Sequence, residues 1–410
     1  MSTTKPVHAA TRFATAGNEL LVGGVPLTRL AQRVGRTPFY AYDRAQLTAR
    51  VRHVRAQLPA ALRLHYSVKA NPMPALVQHM ASLVDGLDVA SAGELKMALD
   101  TGFEPAHVSF AGPGKQDAEL SQAIAAGVTL NAESAAEIER AARIADALGI
   151  APRIVLRVNP DFELKGSGMR MGGGAKPFGI DAEQVPDCLR LLDTLGIALQ
   201  GFHIFSGSQS LKAEAIAESH VRSVELALQL AGDARQALPG LYLGAGFGIP
   251  YFPGEQPLDL APIGASLAQC LARVERDSPG TRVSVESGRY LVGEAGVYVA
   301  RVIERKVSRG QVFLVTDGGL HHHLAASGNF GQVIRKNYPV AIGNRMMQAQ
   351  RETISAVGPL CTPLDVLAER MELACAEAGD LMVVFQSGAY GLSASPTAFL
   401  GHPPPLEVLV

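Results

Sequence analysis

Lys69 stands in the stretch His65-Tyr66-Ser67-Val68-Lys69-Ala70-Asn71-Pro72, behind a short apolar run and just ahead of a proline. The segment Leu62 to Ala70 reads as a buried strand that Asn71-Pro72 stops. An amine at the carboxyl end of a strand sits where parallel α/β proteins build their sites. Partly desolvated, such an amine loses its proton and condenses with an aldehyde to a Schiff base. A single lysine at a strand end ordinarily only snorkels into water. The chemistry therefore depends on what else arrives at the same place.

Four further features fall at the ends of apolar runs. Gly244-Ala-Gly246-Phe-Gly248 is a glycine turn whose N–H groups can cradle a phosphate, although tight turns need glycines for their own sake. Glu286-Ser-Gly288-Arg289 follows, with Arg289 able to grip a phosphate bidentately. Glu286 inside a strand is costly without a cation or N–H partner. His203, in His203-Ile-Phe-Ser206, is either a packing residue or a flat ring that stacks on a heterocycle. Asp88, in Gly86-Leu-Asp-Val-Ala-Ser91, is either an ion-pair partner or an orienting group. An amine, a phosphate clamp, a carboxylate for a ring nitrogen and a stacking ring together meet the needs of pyridoxal 5'-phosphate (PLP).

The elements that must position these groups recur in a rhythm. Strand-like runs at Leu62–Ala70, Gly86–Ser91, Val108–Pro113, Thr129–Glu133, Arg153–Asn159, Leu199–Ser206, Leu241–Gly248 and Val283–Arg289 alternate with helical stretches. Ser91-Ala-Gly-Glu94 and Ser134-Ala-Ala-Glu137 read as capping boxes. Asp181 to Leu195 and Ala213 to Leu230 carry helical apolar spacing. Eight β/α units in roughly 230 residues predict a TIM (β/α)8 barrel. Beyond Arg289 the rhythm becomes strand-rich: Val297–Val307, Gln311–Thr316, Thr353–Val357 and Leu381–Gln386. The first residues add Glu19–Val22, a helix at Leu27–Val34, and Thr37–Tyr42. The expected domains are a barrel over 45–290 and a β-rich domain, barrel or sandwich, from 1–44 plus 291–410.

Composition sets the class. The 410 residues are 47% hydrophobic and 18% charged, enough for a sizeable core. Lys and Arg total 37 against 38 acidic residues, and no charge run suggests nucleic acid or an anionic membrane. Cys188, Cys270, Cys361 and Cys375 show no metal or disulfide spacing, and no metal is expected. The N-terminus lacks an apolar signal core and no run is long enough to span a bilayer, so a cytoplasmic location is expected.

The chain resembles the fold-type III PLP-dependent decarboxylases, the diaminopimelate and ornithine decarboxylase family with its alanine-racemase-like barrel. The motifs are Tyr66-Ser-Val-Lys69-Ala-Asn71, Asp88-Val-Ala-Ser-Ala-Gly-Glu94, Arg157-Val-Asn-Pro160, His203-Ile-Phe-Ser206, Gly244-Ala-Gly-Phe-Gly248, Glu286-Ser-Gly-Arg289, Gly358-Pro-Leu-Cys361 and Gly388-Ala-Tyr390. Phe205-Ser-Gly-Ser-Gln209 and Phe399-Leu-Gly-His402 look most similar to the branch associated with exosortase A systems. A neighbouring branch decarboxylates glutamyl groups on a carrier protein.

The resemblance implies roles. Lys69 binds the cofactor aldehyde, His203 stacks on its ring and Glu286 pairs with the ring nitrogen. Ser206, Gly246, Gly248, Arg289 and Tyr390 hold the phosphate, and Asp88 belongs to the network behind the lysine. Cys361, supplied by a partner subunit, protonates the substrate carbon, which implies a homodimer with shared active sites. Glu286 favours decarboxylation over racemisation, because a carboxylate keeps the ring nitrogen protonated and the electron sink strong.

Two departures bear on the substrate. Family members acting on diaminopimelate or ornithine carry an acidic residue after the cysteine, where this chain has Thr362. Losing a desolvated ion pair costs on the order of 2–5 kcal/mol. Leu320-His321-His322-His323 occupies the stretch that selects the substrate tail. Adjacent side chains point different ways, so these histidines read as pocket wall rather than a metal centre. The expected activity is α-decarboxylation of an amino acid or a carrier-bound aminoacyl group. The alternatives are diaminopimelate decarboxylation proper, a PLP-dependent racemase and a PLP-binding protein without turnover. The glycine-rich loop from Glu163 to Lys176 reads as a closing segment or a plain connector.

Overall fold

The computed structural model describes residues 7–233, 237–332 and 334–410. The chain divides into two units. One comprises Arg50–Ile249 and Leu258–Tyr290; the other comprises Met1–Ala49, Pro250–Pro257 and Leu291–Val410.

In the first unit, among the described residues, eight parallel strands close a barrel. They are β1 (Arg63–Ser67), β2 (Gly86–Val89), β3 (Val108–Phe110), β4 (Thr129–Ala132), β5 (Arg153–Asn159), β6 (Leu199–Ile204), β7 (Gly240–Gly244) and β8 (Arg282–Ser287). Each pairs with the next, β8 returns to β1 through Glu286 opposite His65, and Thr129 opposite Arg153 joins the two halves. Helices follow the strands, as a β/α rhythm requires.

The strands alternate in a way that divides the barrel's two faces. In β1, Leu64 and Tyr66 are apolar while Arg63, His65 and Ser67 are polar. Register carries the polar set around the barrel: Arg63 lies beside Ser284, His65 beside Glu286, Ser67 beside Asp88 and His203 beside Tyr242. Residues paired in register share one face of a sheet. Apolar side chains such as Leu64, Leu87, Leu156 and Val285 are buried on the other face, each worth about 1.5–3 kcal/mol. The polar face turns inward, where His203 meets Glu286 and His65 meets Tyr242.

Helix entry shows how local sequence acts. Ser91 Oγ accepts from Glu94 N at 3.2 Å, and Glu94 reaches back to Ala90 N at 2.8 Å. Ser134 caps Glu137 N at 3.1 Å, but the Glu137 carboxylate is taken by Lys115 at 2.6 Å. A reciprocal capping box forms instead at Gln116 and Glu119. The expected helix from Asp181 splits into a 3-10 turn Ala182–Gln184 and an α-helix Val185–Thr194, with Pro186 in the first turn.

The second unit is β-rich. Its sheet runs Val340–Ile342, Leu381–Val384, Gly296–Ser308, Gln311–Thr316, Arg351–Val357, Val366–Ala374. Phe39–Tyr42 pairs antiparallel with Gly296–Ser308 and parallel with Leu406–Leu409. Phe13, Leu27, Phe39, Val297, Val383 and Phe385 form its core. Among the described residues, no helix is long and apolar enough to cross a membrane.

Candidate active site

The strand carrying Lys69 ends earlier than its sequence suggests. β1 stops at Ser67, and Val68–Ala70 form a 3-10 turn. Tyr66 Oη donates to the Asn71 carbonyl at 2.8 Å and Asn71 Oδ1 accepts from Met73 N at 3.1 Å, which fixes the turn before the helix Pro74–Ala81. Gly288 is needed beside it, because a Cβ there would meet Ala70 Cβ at 2.7 Å. The turn lifts Lys69 off the strand while its neighbours stay buried. The lysine side chain is 42% exposed, and its Nζ stands 3.6 Å from Oδ2 of Asp88, which is 2% exposed. The Phe205 ring centre is 5.9 Å from the same nitrogen.

Below the lysine lie two carboxylates with divergent acidities. Burial, then the nearby Glu286 charge, raises Asp88 to about 6 despite Lys69 and His203. Burial would raise Glu286 too, but His203, with His65 and Lys69, outweighs it and holds Glu286 down at about 2. His203 Nε2 donates to Glu286 Oε2 at 2.9 Å. The other atoms of this pair, Glu286 Oε1 and His203 Nδ1, are buried without a hydrogen-bond partner. A buried carboxylate oxygen left open beside an open ring nitrogen is costly unless a ligand or water completes it.

The remaining barrel residues gather at the same carboxyl ends. Gly246 adopts φ +77°, and a Cβ on Gly248 would strike the Ser210 carbonyl at 2.8 Å, so the loop after β7 keeps its course only as glycines. His220 Nε2 bonds the Gly244 carbonyl at 3.2 Å and stays neutral, since burial lowers it to about 4. Ser206 Oγ shares a 2.6 Å hydrogen bond with Ser219 Oγ. Arg289 opens a short helix, Arg289–Val292, directly after β8. Lys69, Asp88, His203, Ser206, Gly246, Gly248, Glu286 and Arg289 thus all belong to one unit and one rim.

Cys361 and Tyr390 belong to the other unit. Cys361 is exposed. Its loop is pinned by Asp365, which accepts from Leu360 N at 2.8 Å and Leu320 N at 2.6 Å. A Cβ on Gly319 or Gly358 would collide with that carboxylate. Tyr390 holds φ +52°, an uncommon backbone for a tyrosine. His321, His322 and His323 are fully buried; the His321 and His322 rings lie together, 3.6 Å between centroids, against the expectation that the three side chains point different ways. His322 Nε2 bonds the Pro403 carbonyl at 3.0 Å and His323 Nε2 the Ser387 hydroxyl at 2.9 Å, while both His321 nitrogens lack a partner. Burial lowers all three, to about 3, 4 and 3, so they are neutral. Among the described residues no group of three or more His, Cys, Asp or Glu is placed to hold a metal.

Residues 44–293 match the family model described as the pyridoxal binding domain of pyridoxal-dependent decarboxylases. The chain belongs to the pyridoxal-dependent decarboxylases. This decarboxylase is 37% identical over 392 residues to L-glutamyl-[BtrI acyl-carrier protein] decarboxylase of Niallia circulans, covering 93% of this chain and 90% of that one. It is 30% identical to 2-[(L-alanin-3-ylcarbamoyl)methyl]-2-hydroxybutanedioate decarboxylase of Staphylococcus aureus, covering 89% and 92%. Diaminopimelate decarboxylase of Aquifex aeolicus is 31% identical, covering 96% and 90%. Among solved structures, AQ1208 of Aquifex aeolicus superposes with a TM-score of 0.83 at 28% identity, covering 97% and 92%.

The decarboxylase's barrel residues fit the family's cofactor. The open Glu286 oxygen and the amine of Lys69 stand at one mouth, with a glycine turn and Arg289 beside them. Sequence reasoning missed Ser219, which holds Ser206, and Asp365, which organises the Cys361 loop. Neither lies in a motif. The sole sequence hint was the pair of glycines at 319 and 358, whose missing side chains make room for Asp365.

Proposed function

We propose that this enzyme removes the α-carboxylate of an aminoacyl substrate without a distal ammonium, with a group tethered to an acyl-carrier protein as first choice. When bound, PLP supplies the aldehyde that takes the amine and the ring that absorbs the electron pair released with CO2. Lys69 Nζ is the amine that would hold the aldehyde, and Asp88, 3.6 Å away, orients that amine. Glu286, held ionised and with one oxygen open, would keep a proton on the ring nitrogen. His203, locked by its bond to Glu286, is the aromatic side chain that would cover the cofactor ring. Ser206, Gly246, Gly248 and Arg289 would grip the phosphate.

Cys361 of one protomer would return a proton to the substrate carbon at the site built around Lys69 of the other, so the working unit is a homodimer. Its exposure on its own chain supports that role. The free thiols support a cytoplasmic location.

Thr362 carries the substrate half of the proposal. Its hydroxyl accepts from Leu364 N at 3.3 Å and offers no charge to an ammonium. The 37% identity to a glutamyl carrier-protein decarboxylase supports the same choice.

The test is mass spectrometry of products formed in D2O. PLP-loaded enzyme is given glutamyl-acyl-carrier-protein thioester linked through the side-chain carboxyl, so that the α-carboxylate is free, and, separately, free glutamate, ornithine and meso-diaminopimelate. Loss of CO2 with one deuterium gained, confined to the tethered substrate, is the expected result. Rapid turnover of diaminopimelate refutes the substrate assignment, and deuterium uptake without CO2 loss refutes decarboxylation.

A further inference from the structure

We propose that the amino-terminal mouth of the barrel, the end opposite Lys69, is a second binding site that takes a small polyanion bearing phosphate or carboxylate groups. Three strands begin with arginine: β1 with Arg63, β5 with Arg153 and β8 with Arg282. All three line one cavity of about 310 Å³, together with His107, His65 and Tyr242. No aspartate or glutamate lines it, and among the described residues none forms an ion pair with these three arginines. Arg153 Nε has only the Thr129 hydroxyl at 3.4 Å. Positive charges converging on a recess repel one another unless an anion joins them.

Two further observations point to a ligand. His65 and Ser109, 4% and 2% exposed, line the same cavity, and each keeps a buried polar atom, His65 Nδ1 and Ser109 Oγ, without a hydrogen-bond partner. The three arginine charges also act together on the Tyr242 hydroxyl, each opposing the rise that burial imposes on it. The Tyr242 hydroxyl therefore feels all three charges, with Glu286 acting in the opposite sense. Guanidinium forks suit phosphate and carboxylate oxygens. At about 30 Å³ for each water-sized group, the space holds about ten heavy atoms. That is more than a single phosphate and less than a nucleotide.

The test is isothermal titration calorimetry of the PLP-loaded enzyme, whose own phosphate cradle is filled, with sodium pyrophosphate and separately with citrate at constant ionic strength. Saturable binding is expected, weakened at least tenfold in Arg153→Gln/Arg282→Gln that retains the cofactor absorbance. Preference for pyrophosphate assigns a phosphorylated ligand, and preference for citrate a polycarboxylate; either supports the site. Should the double variant lose its cofactor, the exposed Arg282→Glu replaces it and is expected to abolish binding. No saturable heat with either anion, or equal affinity in the variants, overturns the proposal.

Discussion

Lowering the pH tests the buried interior of the barrel through one residue, His65. Its imidazole is 4% exposed, 5.8 Å from the Tyr242 ring, and closed in by Gly86, where a Cβ would strike it at 2.5 Å. Burial, aided by Arg63 and His107, lowers it to about 4, against the pull of Glu286 and Asp85. An imidazole depressed in the folded chain contributes stability above its unfolded value of about 6.5, and that stability is lost as pH falls toward about 4. Between pH 7 and 4.5 the unfolded state gains a proton that folded His65 largely refuses, which removes about 2.5 kcal/mol. In His65→Gln that contribution is absent. The assay is urea unfolding of wild type and variant in chloride buffer at both pH values, followed by tyrosine fluorescence and circular dichroism. Wild type should lose about 2.5 kcal/mol more than the variant on acidification. An equal loss in both proteins would refute the claim that His65 is held neutral by burial.

Other consequences are equally direct. Glu286→Gln, in PLP-loaded enzyme, should retain the cofactor absorbance while kcat falls about 10²–10³-fold, because the ring nitrogen loses its ionised partner. Cys361→Ala should leave cofactor binding intact and cut product formation at least about 10²-fold, with deuterium no longer delivered to one face. Mixing inactive Lys69→Ala and Cys361→Ala protomers should restore about a quarter of wild-type activity if two-fold dimers share their sites, and none if each chain is self-sufficient. Lys115→Met should destabilise the barrel unit by about 3–5 kcal/mol, since Glu137 would be left charged and buried where Lys115 Nζ now sits at 2.6 Å. Thermal unfolding checks it, and Lys115→Met/Glu137→Leu should recover most of the loss.

The barrel was legible because its strands are short, β-branched and punctuated, and the candidate residues because they sit where those strands stop. Boundaries were less so: nothing in Ser67-Val-Lys-Ala separates a strand from a 3-10 turn, yet that turn is what raises Lys69 out of the sheet. In the β-rich unit, Val366–Ala374 escaped notice because Arg370, at φ +49°, interrupts its alternation. Val340–Ile342 is three residues long, too short for any period. Ser219 and Asp365 escaped because their roles rest on tertiary partners. Lys115 draws no reading from sequence and Glu137 reads only as part of a capping box; only the fold shows them paired at 1% and 3% exposure.

Asp365 also explains how substrate choice and proton delivery are coupled in the proposed enzyme. One carboxylate holds the turn before His321 through Leu320 N and the loop of Cys361 and Thr362 through Leu360 N. Its backbone carbonyl accepts from Gly358 N at 3.0 Å, closing the same loop. Asp365 is 2% exposed, and burial raises its pKa against those two N–H donors. Any change in the histidine stretch that moves Leu320 N therefore strains the carboxylate that positions the cysteine loop. Asp365→Asn keeps an acceptor for one N–H but places an amide N–H against the other, so both segments loosen together. If the histidine stretch selects the substrate tail and Cys361 returns the proton, that variant must raise KM for the tethered substrate and lower kcat at once. A change confined to KM would separate the two loops and leave Asp365 a merely structural tie.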